Sequence, residues 1–436
     1  MSHLVNNPYV SQQVYIKEFI EMCIYYSVRA RKSFVLRLLL CLIFWTILLW
    51  QFKANYLTAE NLPVKANKEN QKEVEGPNSH MSASARVLNL VRNQTKPWLI
   101  IFWSTFFGEH FNIEQAWKKG ECPVACEVTS NRSRASDANG FVVHARDSHM
   151  MPSIKSVPWI LMTRENPVYT PQLTKATFMS KFNLLTSYRL DYDFPQPFYP
   201  MPQLTPPLPP EEKDGLIMAV FSNCEPVRTE YMRQLMDFVQ VDSYGACLKN
   251  KDDLVGIYGS ENGKGFKQVK TELSRRYKFS LVFFNQDCDY FVDDQLIHAL
   301  NAGSVPVVMG TDKLNEFLPG NLRRSVIKVR DFTSPKHLAD YLKFLDTNER
   351  KYNEYLEWKW KGLGNITGTT IGAHWKPKYP LYCQMCVALS EGKIHWHGLQ
   401  PIACKPRSFE DWGIYPQTSF LSGLIYKIKK FFLLAT

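Results

Sequence analysis

The 436-residue chain has no zinc-finger spacing and no RNP-type block, so its net charge of +11 is not a nucleic-acid signature. Its basic residues are scattered, and the surplus suits an anionic small molecule or acidic lipid instead. Charged residues make up only 21% against 45% hydrophobic, which excludes a disordered chain. Of ten cysteines, Cys383 and Cys386 form a C-x-x-C pair, and His395 and His397 are badly placed to complete a tetrahedral metal site. Disulfides in an oxidising compartment are therefore a better reading than a metal knuckle. No clean small-x-small cleavage site follows the long apolar run near the N-terminus, which argues against a removable signal peptide.

That run, Leu38–Trp50, contains one polar residue, Thr46, and extends back to Phe34 across Arg37. It lies at the short end of bilayer-spanning lengths and reads as a transmembrane signal anchor over 34–50, with a buried helix as the alternative. Arg29, Arg31 and Lys32 precede it while Lys53 stands nearly alone after it. The positive-inside rule then makes 1–33 a cytosolic tail and the remainder lumenal. Sequons at Asn93, Asn131 and Asn365 agree with a lumenal body. Cys23 and Cys41 fall in the tail and span. The other eight, Cys122, Cys126, Cys224, Cys247, Cys288, Cys383, Cys386 and Cys404, are disulfide candidates, and spacing does not deduce their pairing.

Residues 51–96 are polar, without apolar periodicity, and read as a stem. Continuous apolar runs begin at Leu99–Trp103 and recur at Gly140–His144 and Pro158–Met162, as in strands buried on both faces. They define a first lobe over 97–194. Eight prolines between Pro195 and Pro210 forbid a helix or central strand, so 195–214 is an extended linker. A second lobe over 215–375 alternates strands (Leu216–Phe221, Val239–Asp242, Phe279–Phe283, Val305–Gly310) with helices (Thr229–Phe238 and Asp293–Asn301, capped by Gly303). The alternation predicts an α/β fold of parallel sheets in two lobes, with ligands at the strand carboxyl ends in a cleft. A Cys-containing segment, 376–436, ends in a basic-then-apolar stretch, Tyr426–Leu434, that packs on the body or touches a membrane surface.

Several blocks in order resemble one family. In the first lobe these are Val142-Val143-His144-Ala145-Arg146-Asp147 and Phe182-Asn183 through Tyr188-Arg189, Asp191 and Asp193. In the second they are Ser222-Asn223-Cys224 with Arg228, Val241–Gly245 with Cys247, Tyr277–Leu281, and Ala302–Val308. Over roughly three hundred residues they resemble the α-1,3-fucosyltransferases, glycosyltransferase family 10. The resemblance implies a GT-B fold of two Rossmann-like lobes behind one transmembrane helix, in a type II Golgi membrane protein. It implies inverting transfer of L-fucose from GDP-β-L-fucose to a glycan hydroxyl, GlcNAc in α-1,3 linkage, on a glycoprotein or glycolipid. The alternative is a catalytically impaired relative that binds glycan, nucleotide-sugar or a partner enzyme.

The segment Trp159–Pro167 resembles the family strand ending in Glu-Ser-Pro, whose glutamate is the general base; the match carries that role to Glu165, with the serine mildly changed to Asn166. Arg228, near a helix start, matches a diphosphate ligand, a guanidinium beside a helix N-terminus. Arg189 is expected to order Asp191 and Asp193, and His144 to be structural or near the cleft. The family donor motif, Phe-Glu-Asn then Tyr-Val-Thr-Glu-Lys, is altered here to Phe283-Phe284-Asn285 then Phe291-Val292-Asp293-Asp294-Gln295. Asn285, Phe291, Asp294 and Gln295 are thus the donor-binding candidates, with a hydroxyl and a phosphate-neutralising lysine lost. Lys264, Lys267 and Lys270 are read as lying on a nearby loop that compensates. The family requires no metal, and no convincing metal-binding Asp-x-Asp occurs; Mg or Mn would stimulate only by screening the diphosphate.

Overall fold

The computed structural model describes residues 96–110, 121–151, 157–251 and 265–414. The anchor segment, the stem, Asn93 and Tyr426–Leu434 lie outside them. Among the described residues no helix is long and apolar enough to cross a membrane.

Two wholly parallel sheets organise the chain. The first is six-stranded: β1 (Trp98–Phe102), β2 (Cys126–Thr129), β3 (Gly140–His144), β4 (Trp159–Thr163), β5 (Leu184–Ser187) and β6 (Phe194–Pro195), in the order β2-β1-β3-β4-β5-β6. The second is five-stranded: β7 (Gly215–Ala219), β8 (Asp242–Ser243), β9 (Tyr277–Phe283), β10 (Val305–Met309) and β11 (Ile327–Lys328), in the order β11-β10-β9-β7-β8. Every residue of β3, β4 and β10 is buried, which is why their sequences are unbroken apolar runs. The expected strand over Val239–Asp242 forms only from Asp242, because Val239 and Val241 are spent in the core beneath it.

Helices α1 (Pro226–Met236), α2 (Gly265–Arg275), α3 (Asp294–Ala302) and α4 (Pro335–Thr347) belong to the second lobe. α1 starts earlier than the apolar periodicity suggests. Pro226 supplies the first-turn φ, and the Glu225 carboxylate accepts the Val227 and Arg228 N–H groups. α3 ends at Gly303 with φ +70°, where an added Cβ would lie 2.4 Å from Pro207 Cβ. Only glycine fits that approach of the linker. Two lysines, the half-buried Lys213 and the buried Lys359, complete the attachment. Lys213 Nζ donates to the carbonyls of Arg275, Tyr277 and Gly303, and Lys359 Nζ to those of Gln203 and Asn301. Burial pulls the two ammonium pKa values down to about 8 and about 7.

The C-terminal segment returns to the first sheet. Helix α5 (Leu381–Ser390) packs Cys383, Met385, Cys386 and Leu389 against Ile100, Phe102 and Val124. Bridges Cys122–Cys383 and Cys126–Cys386 staple it there; Cys224–Cys247 and Cys288–Cys404 lie in and near the second lobe. With both its cysteines in disulfides, the Cys383-x-x-Cys386 pair is not a metal knuckle. The chain then runs on to bury Trp412 and Ile414 in the second-lobe core. Asn131 and Asn365 are exposed, as a glycan acceptor must be.

Candidate active site

Each sheet has a point where successive connections diverge. From β7 the chain moves to β8 on one side and then to β9 on the other; from β1 it moves to β2 and then to β3. The carboxyl ends of such strand pairs frame a ligand crevice. The β7 exit carries Ser222-Asn223-Cys224 and α1, and the β9 exit carries Asn285. His144 ends β3, and Glu165 follows β4.

Glu165 is half-buried, and desolvation raises its carboxyl pKa above the ordinary 4.5, with the Arg146 charge opposing. Its loop reaches the second lobe. Asn166, fully buried, donates from Nδ2 to Asn285 Oδ1 at 2.9 Å, and Asn223 Nδ2 donates to the Tyr169 hydroxyl at 2.9 Å. Two candidates placed far apart by sequence, Glu165 and Asn285, therefore meet through a residue whose change from serine reads as mild. It is not mild: serine has no second polar atom to reach Asn285.

Arg228 differs from its expected setting. It is 2% exposed; Nη1 donates to the Phe283 carbonyl at 2.6 Å and Nη2 to the Asn223 carbonyl, while the ring of Phe221 lies beneath the guanidinium. The N–H groups at the start of α1 are already taken by Glu225, so that helix end offers no free anion site. Arg228 organises the β7 exit, and only Nε is left without a hydrogen-bond partner.

Phe291 is buried edge-on against Tyr188, with ring centroids 5.2 Å apart. The hydroxyl missing there thus leaves an apolar contact, not an opening. Asp294 ion-pairs with Lys270 at 3.8 Å and His298 at 3.5 Å. Lys267 and Lys270 lie on helix α2, not a loop, and Lys264 is outside the described residues. Gln295 turns inward: its backbone N–H and its Nε2 both donate to Asp293. Burial, reinforced by the Asp294 charge, pushes the Asp293 carboxyl up to about 7, against the pull of the Gln295 N–H, Arg228 and Lys270.

In the first lobe His144 is buried, its Nδ1 2.8 Å from Asp147 Oδ2, and desolvation lowers its pKa. Phe106 and Phe107 stack on it. Arg189 pairs with Asp191 through two bonds. Asp193 instead accepts from the Leu185 N–H, one residue before β5 pairs with β6, and sits 3.0 Å from His395 Nε2.

Arg407, which no motif marks, is the main addition. Its side chain is fully buried and joins Glu225, the Phe284 carbonyl and Asp287, with Trp412 against it. It neutralises the α1 cap and holds the loop after Asn285. Arg407→Ala is expected to destabilise by about 3–5 kcal/mol, since the buried Glu225 carboxylate loses the cation paired with it and Asp287 is left with only the more distant Arg330. Urea unfolding of the purified protein measures this. The only sequence signal is one arginine between Pro406 and Ser408, which has no local meaning.

Among the described residues no group of three His, Cys, Asp or Glu side chains is arranged to hold a metal ion.

Two family models match in tandem: "Fucosyltransferase, N-terminal" over residues 95–199 and "Glycosyltransferase family 10 (fucosyltransferase) C-term" over 210–402. Similar curated proteins include the GDP-fucose protein O-fucosyltransferase 3 of Homo sapiens, 28% identical, with 65% of this chain and 63% of that protein aligned. The Danio rerio protein of the same name is 32% identical, over 60% of each. The chain thus spans about three-fifths of the length of these relatives. A crystal structure of an alpha1,3-fucosyltransferase with GDP-fucose aligns with 70% of this chain and 95% of its own, at 16% identity and TM-score 0.44. The N-terminal and C-terminal models cover the two sheets in order, on the same blocks that carry the sequence resemblance, and the chain belongs to glycosyltransferase family 10, the fucosyltransferases.

Proposed function

We propose that this protein transfers L-fucose from GDP-β-L-fucose to an acceptor hydroxyl, with inversion, in a cleft between two GT-B lobes. The observation that carries this reading is the meeting of the Glu165 loop with the exits of β7 and β9. Glu165, its pKa raised by burial, takes the acceptor proton as the oxygen attacks the fucose anomeric carbon. The carbon–oxygen bond to GDP breaks, and GDP leaves with the electron pair. Asn285 and Asp294 bind the donor, Phe291 packs behind its site, and Arg228, buried at the β7 exit, contributes its charge to holding the diphosphate. No metal is required.

For the acceptor, the relatives' name favours a protein hydroxyl; a GlcNAc hydroxyl in α-1,3 linkage is the second reading, favoured by the motif resemblance. Incubating the purified protein with labelled GDP-fucose and a panel of folded protein domains and GlcNAc-terminated glycans, followed by linkage analysis, decides between them. GDP-fucose binding without turnover on any acceptor would instead select the impaired, binding-only reading.

The same proposal includes a single-pass type II Golgi topology, resting on the 34–50 run, its flanking charges and the exposed Asn131 and Asn365. Glycosidase-sensitive mass at those two sites tests it.

Gln295→Lys is expected to change kcat by less than about threefold. The Gln295 amide already contacts Asp293, so a lysine ammonium there pairs with that carboxylate rather than with phosphate. A rise of tenfold or more would show that the missing charge limits the rate.

A further inference from the structure

We propose that Asn166 is a positioning residue that fixes the base loop to the donor lobe through Asn285, so that Glu165 moves with the donor; this rests on the fucosyl-transfer reading. Asn166 does two separate things. Its Oδ1 accepts the N–H groups of Val168 at 3.1 Å and Tyr169 at 3.4 Å, and its carbonyl accepts those of Tyr169 and Thr170, which folds residues 166–170 into a tight turn. Its Nδ2 points the other way and bonds Asn285 across 119 positions of sequence. The same loop is tied a second time, where the Tyr169 hydroxyl accepts from Asn223.

The two ties land on the loops after β9 and β7, the strands that frame the second-lobe crevice. Pro167, buried between them, restricts the backbone that joins the anchors. Asn166 itself is 0% exposed, so water does not compete for its amide. A general base on a loop bound to the acceptor lobe alone would shift against the donor with every lobe displacement. Here the loop leaves the first sheet at Thr163 and is held by the second lobe only a few residues later, at Asn166 and Tyr169. Misplacement of a catalytic group by about 1 Å is enough to lose roughly a hundredfold in rate, which is the scale on which such a tie acts.

Serine at 166 retains a turn-forming acceptor, and its single hydroxyl, one bond shorter, does not reach Asn285, so Asn166→Ser removes the crossing bond. In the full-length protein the variant is expected to lose about tenfold or more in kcat while KM for GDP-fucose stays within about threefold. On an Asn285→Ala background the same substitution is expected to lower kcat no further, since the bond is already gone. Tyr169→Phe, which removes one hydroxyl, is expected to lower kcat in the same direction by a smaller factor. An active wild type with unchanged kcat in Asn166→Ser overturns the proposal. Should the wild type transfer no fucose, the functional reading fails, and amide hydrogen exchange then decides the tie. Faster exchange confined to residues 164–170 and 284–287 in Asn166→Ser supports it, and unchanged exchange overturns it. If Asn166→Ser does not fold, Tyr169→Phe is measured in the same two ways: a lower kcat or faster exchange supports the tie, and no change in either overturns it.

Discussion

Glu165→Gln is expected to lower kcat for fucosyl transfer by about a hundredfold to ten-thousandfold, with GDP-fucose affinity unchanged within a few-fold. The substitution keeps the volume and hydrogen-bonding reach of the side chain and removes only its capacity to take a proton. Glu165 sits on the turn after β4, half-buried, and the charge that acts on it is Arg146, two residues beyond the end of β3 on the neighbouring strand exit. Burial favours the protonated acid more than Arg146 favours the carboxylate, so the pKa lies above 4.5. A base works only when deprotonated. Activity should therefore rise with pH through that raised value, and this acid limb should vanish from the residual rate of Glu165→Gln. Steady-state rates from about pH 4 upward, with calorimetric GDP-fucose binding as control, measure both. A glutamine variant with wild-type kcat would remove Glu165 from the mechanism.

The second large effect is on stability. Removing both bridges that hold α5, Cys122–Cys383 and Cys126–Cys386, is expected to destabilise by about 2–3 kcal/mol more than the sum of removing each alone. The bridges span sequence separations of 261 and 260, nearly the same loop. While one remains, the other restrains only a short ring, worth about 2–3 kcal/mol of unfolded-state entropy. When the last goes, the long loop is released, at about 5 kcal/mol more. The affected surface is the packing of Met385 and Leu389 on β1, which then has no covalent support. Guanidinium unfolding of Cys122→Ser/Cys383→Ser, Cys126→Ser/Cys386→Ser and the fourfold variant tests this. A fourfold variant as stable as either double variant rejects the nested-loop account.

Particular elements show how far the sequence reaches. The strands β3, β4, β9 and β10 are legible because parallel strands covered on both faces must be apolar at nearly every position. Asp293 as the α3 cap and Gly303 as its end are legible because caps are local chemistry, resolved within a few residues. Apolar periodicity misses the start of α1 although Glu225-Pro226 announces it, because the first turn is set by the cap and not by the buried face.

The candidate site divides in the same way. Glu165, Asn285 and Asp294 follow from motifs, which record what residues are present. Their partners are not legible. Gln295 reads as a lost phosphate ligand, yet in the fold it is a ligand of Asp293. Arg228 reads as a diphosphate clamp at a helix start, yet it is buried with two of its nitrogens on backbone carbonyls.

By itself, then, the sequence determined the parallel α/β class and the family, since each depends on local residue type and order. Only the tertiary structure decided the four disulfide pairings, the burial of Arg407 between Glu225 and Asp287, and the bond from Asn166 to Asn285. Those contacts join residues from 23 to 261 positions apart. Hydrogen bonds and ion pairs are short-range in space and indifferent to distance along the chain, so no local pattern encodes which distant partner a side chain will meet.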